Sequence, residues 1–381
     1  MNNLPLGDLS LDTFLAEYWQ KKPLLIRQTL PEIESPVTAD ELAGLACEEE
    51  VESRLISHDA KNDQWDLTEG PFDEANFVDL PKKHWTLLVQ AVDHWVPAAA
   101  DFLSPFYFIP SWRVDDLMIS LSGDEGGVGP HYDNYDVFLV QVRGRRKWEI
   151  GGLHDESSAC RPDTPLKILT EWESEQSWVL EPGDMLYVPP SVGHNGVAIG
   201  DGCMTCSVGF RAPSHRDILL DYYEEVAEQL NEDIRYSDPN LVPQPNPGQI
   251  TPEAVLNVQK ILAQYIDDHD RVAQWFGRCM TSPKYSDEEM TIDAHHLNDV
   301  HQHLVEGGML MKNEGSRFAF QERGKSAWLF VDGRQYTCSE LVFNFVKTLC
   351  SERAFSDFSG QSEEQDELIL DLLNHGSLYL S

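Results

Sequence analysis

Three side chains of metal-ligand type stand at a spacing that suits one ion. His131 and Asp133 are two positions apart, and His194 follows sixty-three residues after His131. We predict a strand at His131–Asp133, because alternate residues of a strand point to the same face and both side chains could then reach one ion. Two imidazoles and one carboxylate leave three coordination positions open on Fe(II), which is the arrangement of an iron-dependent oxygenase site.

A second candidate group is a basic residue on a predicted core strand. After a predicted turn at Arg143–Gly144, Arg146 shares its strand face with Trp148 and Ile150, so its guanidinium should point inward. A buried guanidinium is costly unless it meets a carboxylate. The partner could be a dicarboxylate co-substrate or an internal Asp or Glu, or the charged end could reach outward along the barrel wall. The residue pattern leaves these alternatives open.

The elements that must position these residues change character along the chain. Between residues 104 and 212, short runs of Val, Ile, Leu and aromatic residues are broken by Gly, Pro and Asp, which predicts an all-β core. Elsewhere apolar residues recur every three or four positions, as in amphipathic helices. The fold class is therefore α+β. Helices are predicted at 10–22, 218–230, 254–266, 297–305, 341–349 and 367–373, with further strands at 318–320 and 328–336.

Length and charge narrow the class of protein. A chain of 381 residues predicts two or three domains. The net charge of −37 repels a phosphate backbone, so we expect no direct nucleic-acid binding. The same field would favour a basic protein partner, although solubility alone or a salt-adapted proteome explains it equally well. Residues 1–13 lack a signal-peptide pattern and no window approaches eighteen consecutive apolar residues, so we expect a cytoplasmic protein without membrane contact.

Two other clusters of ligand-type residues have plainer interpretations. Cys203 and Cys206 form a Cys-x-x-Cys pair inside an apolar run, and no second pair completes a zinc site, so a buried strand is favoured. A histidine cluster lies at a predicted helix start and has no carboxylate at ligand spacing, which favours a solvated helix face over a second metal site. Its members are His295, His296, His301 and His303.

Several segments make the chain similar to a known family. Residues 112–213 resemble the JmjC-type oxygenases, and in particular the bacterial ribosomal-protein arginine hydroxylases. Residues 14–23, which read FLAEYWQKKP, are similar to the N-terminal signature of that family. Residues 115–120 before the metal-binding segment and residues 207–213 after the barrel are similar too. The resemblance covers nearly the whole chain.

The resemblance implies an architecture and a set of cofactors. A double-stranded β-helix of the JmjC/cupin-like type would occupy 1–212, a helical dimerisation segment 213–282, and a winged-helix-like domain 283–381, in a homodimer. The implied cofactors are Fe(II), the co-substrate 2-oxoglutarate and O2. The metal ligands of the family fall on His131, Asp133 and His194. Its basic anchor for the distal carboxylate of 2-oxoglutarate falls on Arg146, where many relatives carry lysine, and a supporting hydroxyl falls on Ser120.

The resemblance also implies hydroxylation of an arginyl side chain on a large-subunit ribosomal protein. The cation of that side chain needs acidic or hydroxyl partners, for which Asp115, Asp116 and Ser207 are the candidates. Each of the three could instead cap a turn or bond the barrel backbone. Two rival functions stay open: N-demethylation of a methylated basic protein at the same metal site, and a non-catalytic β-barrel that binds a partner.

Overall fold

The structure, a computed structural model, describes residues 5–285, 295–356 and 362–381. It divides into two compact units. The first comprises Met1–Ala212 and Asn313–Gly315, and the second comprises Pro213–Lys312 and Ser316–Ser381. The three-domain division with boundaries after 212 and 282 stays a prediction.

The first unit is built around one antiparallel sheet. Its elements in chain order are α1 (Leu11–Glu17), β1 (Leu24–Ile26), α2 (Ala39–Leu45), β2 (Ser53–Asp59), β3 (Gln64–Glu69), α3 (Glu74–Val78), β4 (Trp85–Val89), α4 (Pro97–Phe102), β5 (Val114–Ser122), β6 (Val137–Leu153), β7 (Gln176–Leu180), β8 (Met185–Val188) and β9 (Val192–Phe210). The strands pair in the order β1-β8-β6-β9-β5-β4-β2-β3, with β7 beside β6.

The long strands β6 and β9 pair along most of their length and bend together. The register shifts between Gln141 and Arg143 and again between Arg143 and Arg145. Gly144 has a φ of +68° at this point, and a Cβ there would lie 3.1 Å from the Cα of Cys203. Because pairing with β9 resumes beyond the shift, the turn predicted at Arg143–Gly144 is an irregularity within one strand.

Alternate residues of β6 enter two different apolar layers, as the two-residue period of a strand requires. Val137 and Leu139 pack inside the barrel, whereas Phe138 and Val140 pack in a larger core that includes Phe14 of α1. Other members of the inner layer are Trp148, Ile150, Leu180, Leu186, Val188 and Val192. The two faces of β6 therefore contribute to two separate apolar layers, of which the smaller is the inner one.

The second unit contains two small sheets, β14-β10-β15 and β11-β12-β13, among helices. None of the helices in the described ranges is long and apolar enough to cross a membrane. Its elements are α5 (His215–Glu228), α6 (Pro252–Ile266), α7 (His269–Thr281), α8 (Leu297–Val305), β10 (Leu310–Lys312), β11 (Phe318–Arg323), β12 (Ser326–Val331), β13 (Arg334–Cys338), α9 (Phe343–Ser351), β14 (Ala354–Phe355), α10 (Glu363–Asn374) and β15 (Leu378–Leu380).

Two helices of this unit differ in how far their apolar residues are covered. In the helix predicted at 218–230, which is α5, the apolar residues Leu219, Tyr222, Tyr223 and Val226 recur every few positions and would form an exposed stripe on an isolated helix, but Tyr222 and Val226 are buried in a cluster with Trp275 of α7. The amphipathic face of α7 covers that stripe. By contrast, α6 has no buried residue, and four apolar side chains spaced three or four positions apart on it are 46–48% exposed. They are Val255, Val258, Leu262 and Ile266.

A buried carboxylate ties β1 to the turn that precedes β8. Asp184 is 2% exposed and accepts hydrogen bonds from the backbone N–H groups of Gln28 and Glu181, both at 3.0 Å. The guanidinium of Arg27 donates to it at 2.6 Å. Burial alone would raise the pKa of Asp184, but these hydrogen bonds outweigh burial and hold the pKa below its usual value. The group is therefore ionised at neutral pH.

We predict that Asp184→Asn lowers the free energy of unfolding by about 1.5–3 kcal/mol at pH 7, because the charge that its donors meet is lost. Since the folded pKa is depressed, the wild-type advantage is full above the unfolded pKa of about 4 and is lost as pH falls through the folded pKa. Urea unfolding of both proteins from pH 7 down through the folded pKa measures the difference in the free energy of unfolding. Asp201→Asn is the control, because exposed Asp201 accepts one N–H from Gly202. Equal losses in both variants would contradict the role of Asp184.

Candidate metal and co-substrate site

The backbone brings His131 beside His194. The two residues exchange N–H···O bonds of 3.0 and 2.8 Å in a single antiparallel bridge, and His194 lies near the start of β9. The strand predicted at His131–Asp133 does not form. The reason is that the carbonyl of Asp133 bonds the amide of Ser191 at 2.7 Å in the turn before β9, so the pairing does not continue as a ladder.

The three ligand-type side chains nevertheless converge. The Oδ2 atom of Asp133 lies 4.0 Å from Nε2 of His131 and 3.5 Å from Nε2 of His194, and one atom from each side chain lies within 4.8 Å of the others. Nδ1 of His131 faces the carbonyl of Gly129 at 2.9 Å, and Nδ1 of His194 faces that of Val192 at 3.1 Å. Because a carbonyl only accepts, each Nδ1 acts as the donor, which leaves each Nε2 as the ring atom that faces a possible metal ion.

The protonation state of His194 also suits a metal ligand. Burial, followed by the nearby charge of His131, lowers the pKa of His194 well below its usual value. The imidazole is therefore neutral, which is the form that binds a metal ion. Two imidazoles and one carboxylate in this arrangement could hold a divalent ion with open positions for other ligands. In the described ranges, no other group of three such residues lies as close together.

Arg146 enters the barrel interior without meeting a carboxylate. It is 4% exposed, which excludes outward reach of the guanidinium. Its Nη2 donates to the hydroxyl of Ser122 at 2.7 Å and lies 3.5 Å from that of Ser120. No Asp or Glu of the described residues forms an ion pair with it. A buried cation with only hydroxyl partners is expensive, so this position suits an anionic ligand.

Unpartnered donors line the same interior. The Nε atom of Arg146 and the Nε1 atom of Trp148 are buried and have no hydrogen-bond partner within the described part of the chain. The Trp148 ring lies 5.8 Å from the Cζ of Arg146 and 6.0 Å from the His194 ring. A buried donor without an acceptor costs about 1–3 kcal/mol. An oxygen-rich anion between Arg146 and the two histidines would relieve that cost, and 2-oxoglutarate is such an anion.

The three candidate substrate-binding residues differ in their surroundings. Asp116 is 2% exposed and accepts hydrogen bonds from the Gln90 amide at 2.6 Å and the Ala91 N–H at 3.0 Å, which is a backbone-supporting role. Asp115 is half-buried. Ser207 is buried on β9 opposite Met118 of β5, and therefore shares the barrel-interior face of Ser120 two residues further along β5.

Tyr135 is a further residue of this region. Burial, the neighbouring charges of Asp133, Asp116 and Asp115, and a hydrogen bond to Asp133 raise the pKa of its phenol above the usual range. The phenol therefore stays protonated at neutral pH. The ring itself is 43% exposed, so it stands at the opening of the site.

Comparisons with known proteins identify the family. Residues 101–218 match the JmjC domain family, and residues 264–379 match the ROXA-like winged helix family. The chain is 36% identical over 310 residues to the ribosomal protein uL16 3-hydroxylase of Escherichia coli K12, which covers 81% of this chain and 82% of that protein. The chain belongs to the JmjC-type ribosomal oxygenases. It is also 38% identical over 231 residues to a probable ribosomal oxygenase of Haemophilus influenzae, covering 60% of this chain and 54% of that protein.

Solved structures of a ribosomal oxygenase share the fold. The X-ray structure of E. coli YcfD gives a TM-score of 0.88 at 31% identity, covering 98% of this chain and 99% of that one. A structure of YcfD with cobalt and 2-oxoglutarate gives 0.86 at 31% identity and the same coverage. The α+β class, the JmjC-type barrel and the C-terminal winged helix expected from the sequence are confirmed for this ribosomal oxygenase.

Sequence reasoning missed three residues of the ribosomal oxygenase site. Ser122 approaches Arg146 more closely than Ser120, and strand parity two residues beyond Ser120 could have indicated it. Trp148 was used only to orient Arg146, although the same parity places its indole inside. Tyr135 follows Asp133 by two residues, but the chain is irregular there and no pattern predicts its direction.

The C-terminal histidines serve local contacts in the second unit. His301 lies 3.2 Å from a carboxylate oxygen of Asp366, and His303 lies 3.0 Å from the carbonyl oxygen of Ser381. His296 is the N-cap position of α8. Each of these histidines therefore has its own local contact or position in the second unit.

We predict that Arg146→Met stabilises the ribosomal oxygenase in the absence of ligand. An apolar chain of similar length removes an uncompensated buried charge, which should raise the free energy of unfolding by about 1–4 kcal/mol. Denaturant unfolding without metal or 2-oxoglutarate measures the change. Arg145→Met is the control, because Arg145 is the exposed neighbour on the same strand, and its effect should stay within about 0.5 kcal/mol. A strongly destabilised Arg146→Met protein would mean that the guanidinium holds the barrel together without any ligand.

Proposed function

We propose that this ribosomal oxygenase hydroxylates an arginyl side chain of a basic large-subunit ribosomal protein, using Fe(II), 2-oxoglutarate and O2. The observation that carries the proposal is the buried Arg146, without a carboxylate partner, in the same barrel as the His131, Asp133 and His194 cluster. The E. coli relative is named for its action on uL16, and a YcfD structure contains 2-oxoglutarate with cobalt. Both support the substrate class and the co-substrate.

Each part of the site has a separate task in this proposal. His131, Asp133 and His194 hold the iron, which together with 2-oxoglutarate and O2 supplies the oxidising chemistry. The guanidinium of Arg146 binds the distal carboxylate of 2-oxoglutarate, and Ser120 and Ser122 hold that guanidinium in place. The apolar inner layer of the barrel keeps bulk water from the reacting groups.

Recognition of the substrate cation falls to the residues around Tyr135. Asp115 and Ser207 offer a carboxylate and a hydroxyl, and Tyr135 presents its ring at the opening, where a guanidinium can stack. Asp116 contributes by accepting hydrogen bonds from the Gln90 side-chain amide and the Ala91 backbone N–H. The target side chain would thus enter past Tyr135 toward Asp133.

One alternative outcome at the same site has a specific observation in its favour. The chain is 24% identical over 210 residues to a bifunctional lysine-specific demethylase and histidyl-hydroxylase NO66 of Aedes aegypti, covering 48% of this chain and 30% of that protein. Mass spectrometry of ribosomal proteins from cells with and without this gene separates the outcomes. Gain of one oxygen on arginine supports the proposal, loss of a methyl group supports demethylation, and 2-oxoglutarate turnover excludes a non-catalytic barrel.

We predict that His131→Ala and Asp133→Ala each abolish metal binding and 2-oxoglutarate turnover while the protein stays folded. Removing even a supporting residue of a metal site costs 10–100-fold, so loss of a ligand should leave less than about a hundredth of the activity. Calorimetric titration with Co(II) and circular dichroism measure binding and folding. Tyr132→Phe is the control between the two ligands. Retained Co(II) affinity in both alanine variants would move the metal elsewhere.

We predict that uL16 with lysine in place of the target arginine is a poor substrate, because an ammonium cannot offer the planar fork of a guanidinium. With arginine, kcat/KM should fall as salt screens the attraction between this acidic chain and a basic substrate, while kcat changes little. Hydroxylation rates of both proteins across a salt series test this. Equal rates, or no salt dependence, would remove the arginine and basic-partner parts of the proposal.

We also propose a cytoplasmic homodimer whose interface includes α6, since its exposed stripe of Val255, Val258, Leu262 and Ile266 is too apolar for a surface helix. Leu262→Glu should convert the dimer into a monomer, because a carboxylate would be buried without a partner. Light scattering at micromolar concentration measures the mass. Gln259→Glu, an exposed position of the same helix, is the matched control. A wild-type monomer would overturn the proposal.

A further inference from the structure

A groove in the first unit lies outside the metal and co-substrate site. Its volume is about 440 Å³. One wall is the β2–β3 hairpin with Asp63 and Trp65, and the other wall is the loop of residues 161–170. Pro130, Ile168 and Leu169 give it an apolar floor. We call this feature the Trp65 groove.

The Trp65 groove adjoins the metal ligands through its floor. Pro130 precedes His131 directly, and its carbonyl accepts the Leu169 N–H at 2.8 Å. Gly129 has a φ of +79°, and a Cβ there would come within 3.0 Å of the Ile168 side chain, so this segment packs closely on the loop. An extended peptide spans about 3.3–3.6 Å per residue. A few residues of peptide therefore reach from the metal site to the groove.

The walls of the Trp65 groove are joined and preorganised. Arg161 donates to Oδ2 of Asp63 at 2.6 Å, to the carbonyl of Asp63 at 2.8 Å, and to Oδ2 of Asp163 at 2.8 Å. The ring of Trp65 stacks on His58, with centroids 4.1 Å apart and planes inclined by 14°. These contacts fix the hairpin against the loop, so the groove is ready for a ligand without rearrangement.

The rim of the Trp65 groove is acidic. Among the residues that line the groove, the one cation is Arg161, which pairs with Asp63 and Asp163, whose side chains remain 68% and 54% exposed. Exposed Lys167 lies on the same loop but does not line the groove. Hydrogen bonds from Arg161 lower the pKa of both carboxyl groups, so they stay ionised. Two carboxylates against one guanidinium leave a net negative rim around an apolar floor. This combination suits a basic segment that also carries an apolar side chain.

We infer that the Trp65 groove binds the segment of the basic protein substrate that flanks the hydroxylated side chain on one side. The inference rests on the proposed function, and it adds a second recognition site. An apolar side chain of the flanking segment would occupy the floor, and neighbouring lysines or arginines would face Asp63 and Asp163. The groove would then set which position of the substrate reaches the metal.

The test fills the groove without touching the metal site. Thr170 is an exposed lining residue, so Thr170→Trp should block the floor, and Thr68→Trp on β3 is the matched control outside the groove. The probes are three peptides of E. coli uL16 centred on the residue that wild-type protein hydroxylates: one extended on both sides, and two trimmed on one side each. Binding is measured by fluorescence anisotropy, and hydroxylation and peptide-free 2-oxoglutarate turnover are measured in parallel.

We expect Thr170→Trp to weaken binding of the doubly extended peptide about tenfold, within the range of a blocked interface contact. Thr68→Trp should leave peptide binding unchanged. Neither substitution should change the peptide-free turnover of 2-oxoglutarate. One trimmed peptide should lose all sensitivity to Thr170→Trp, and the other should keep it. Equal sensitivity of all three peptides, or none, would overturn the inference.

A second variant tests the groove independently, in case Thr170→Trp does not fold. Asp163→Asn leaves the groove open but removes rim charge, so it should weaken the same two peptides and reduce the salt dependence of their binding. Unchanged binding in Asp163→Asn would also overturn the inference. If wild-type protein neither binds nor hydroxylates any uL16 peptide, the proposed function itself fails, which distinguishes the two outcomes.

Discussion

The pairing of β6 with β9 places most groups of the site. Arg146, Trp148 and Ile150 lie opposite Ala198, Gly196 and His194, respectively, and all face the barrel interior. A shift of one residue would turn Lys147 inward and Arg146 outward, because successive strand residues point to opposite faces. Gly196 fits this register, since a Cβ there would lie 2.6 Å from the Trp148 ring. The register therefore links the pairing of the two long strands to the inward placement of Arg146.

The same pairing places the Nε atom of Arg146 and the Nε1 atom of Trp148 in the interior. Within the described part of the chain, neither of these donors has a hydrogen-bond acceptor. Evolution usually removes such groups from cores because unpaired buried donors destabilise the native state. Their presence beside His194 is consistent with a fold that is completed by a bound anion and metal, whose binding free energy adds to stability. Ligand affinity and stability of the free protein should thus oppose each other at Arg146.

The sequence predicted those features that depend on the spacing of residues along one strand or helix and on residue type. Parity placed Arg146 inside, and the His-x-Asp spacing singled out two of the three ligand-type side chains that converge. Apolar recurrence located α1, α5, α6, α8, α9 and α10 but not α2, α3 or α4. It could not predict features that depend on neighbouring elements. The bend at Gly144 requires knowledge of β9, and the burial of Tyr222 requires knowledge of α7. Likewise, His131 is positioned by its bridge to His194 and not by a strand of its own, which spacing alone cannot show.

In the winged-helix unit, several cations that could otherwise bind phosphate groups of a nucleic acid are paired with carboxylates. Arg323 bonds Asp270 at 2.7 Å, Lys325 bonds Glu340 at 2.8 Å, and Lys347 bonds Glu322 at 2.9 Å. Nucleic-acid binding needs cations that can exchange counterions for phosphates, and each of these cations already faces a carboxylate. Breaking such pairs to bind phosphate would leave the carboxylates facing the backbone charge. The fold name alone therefore does not imply DNA binding.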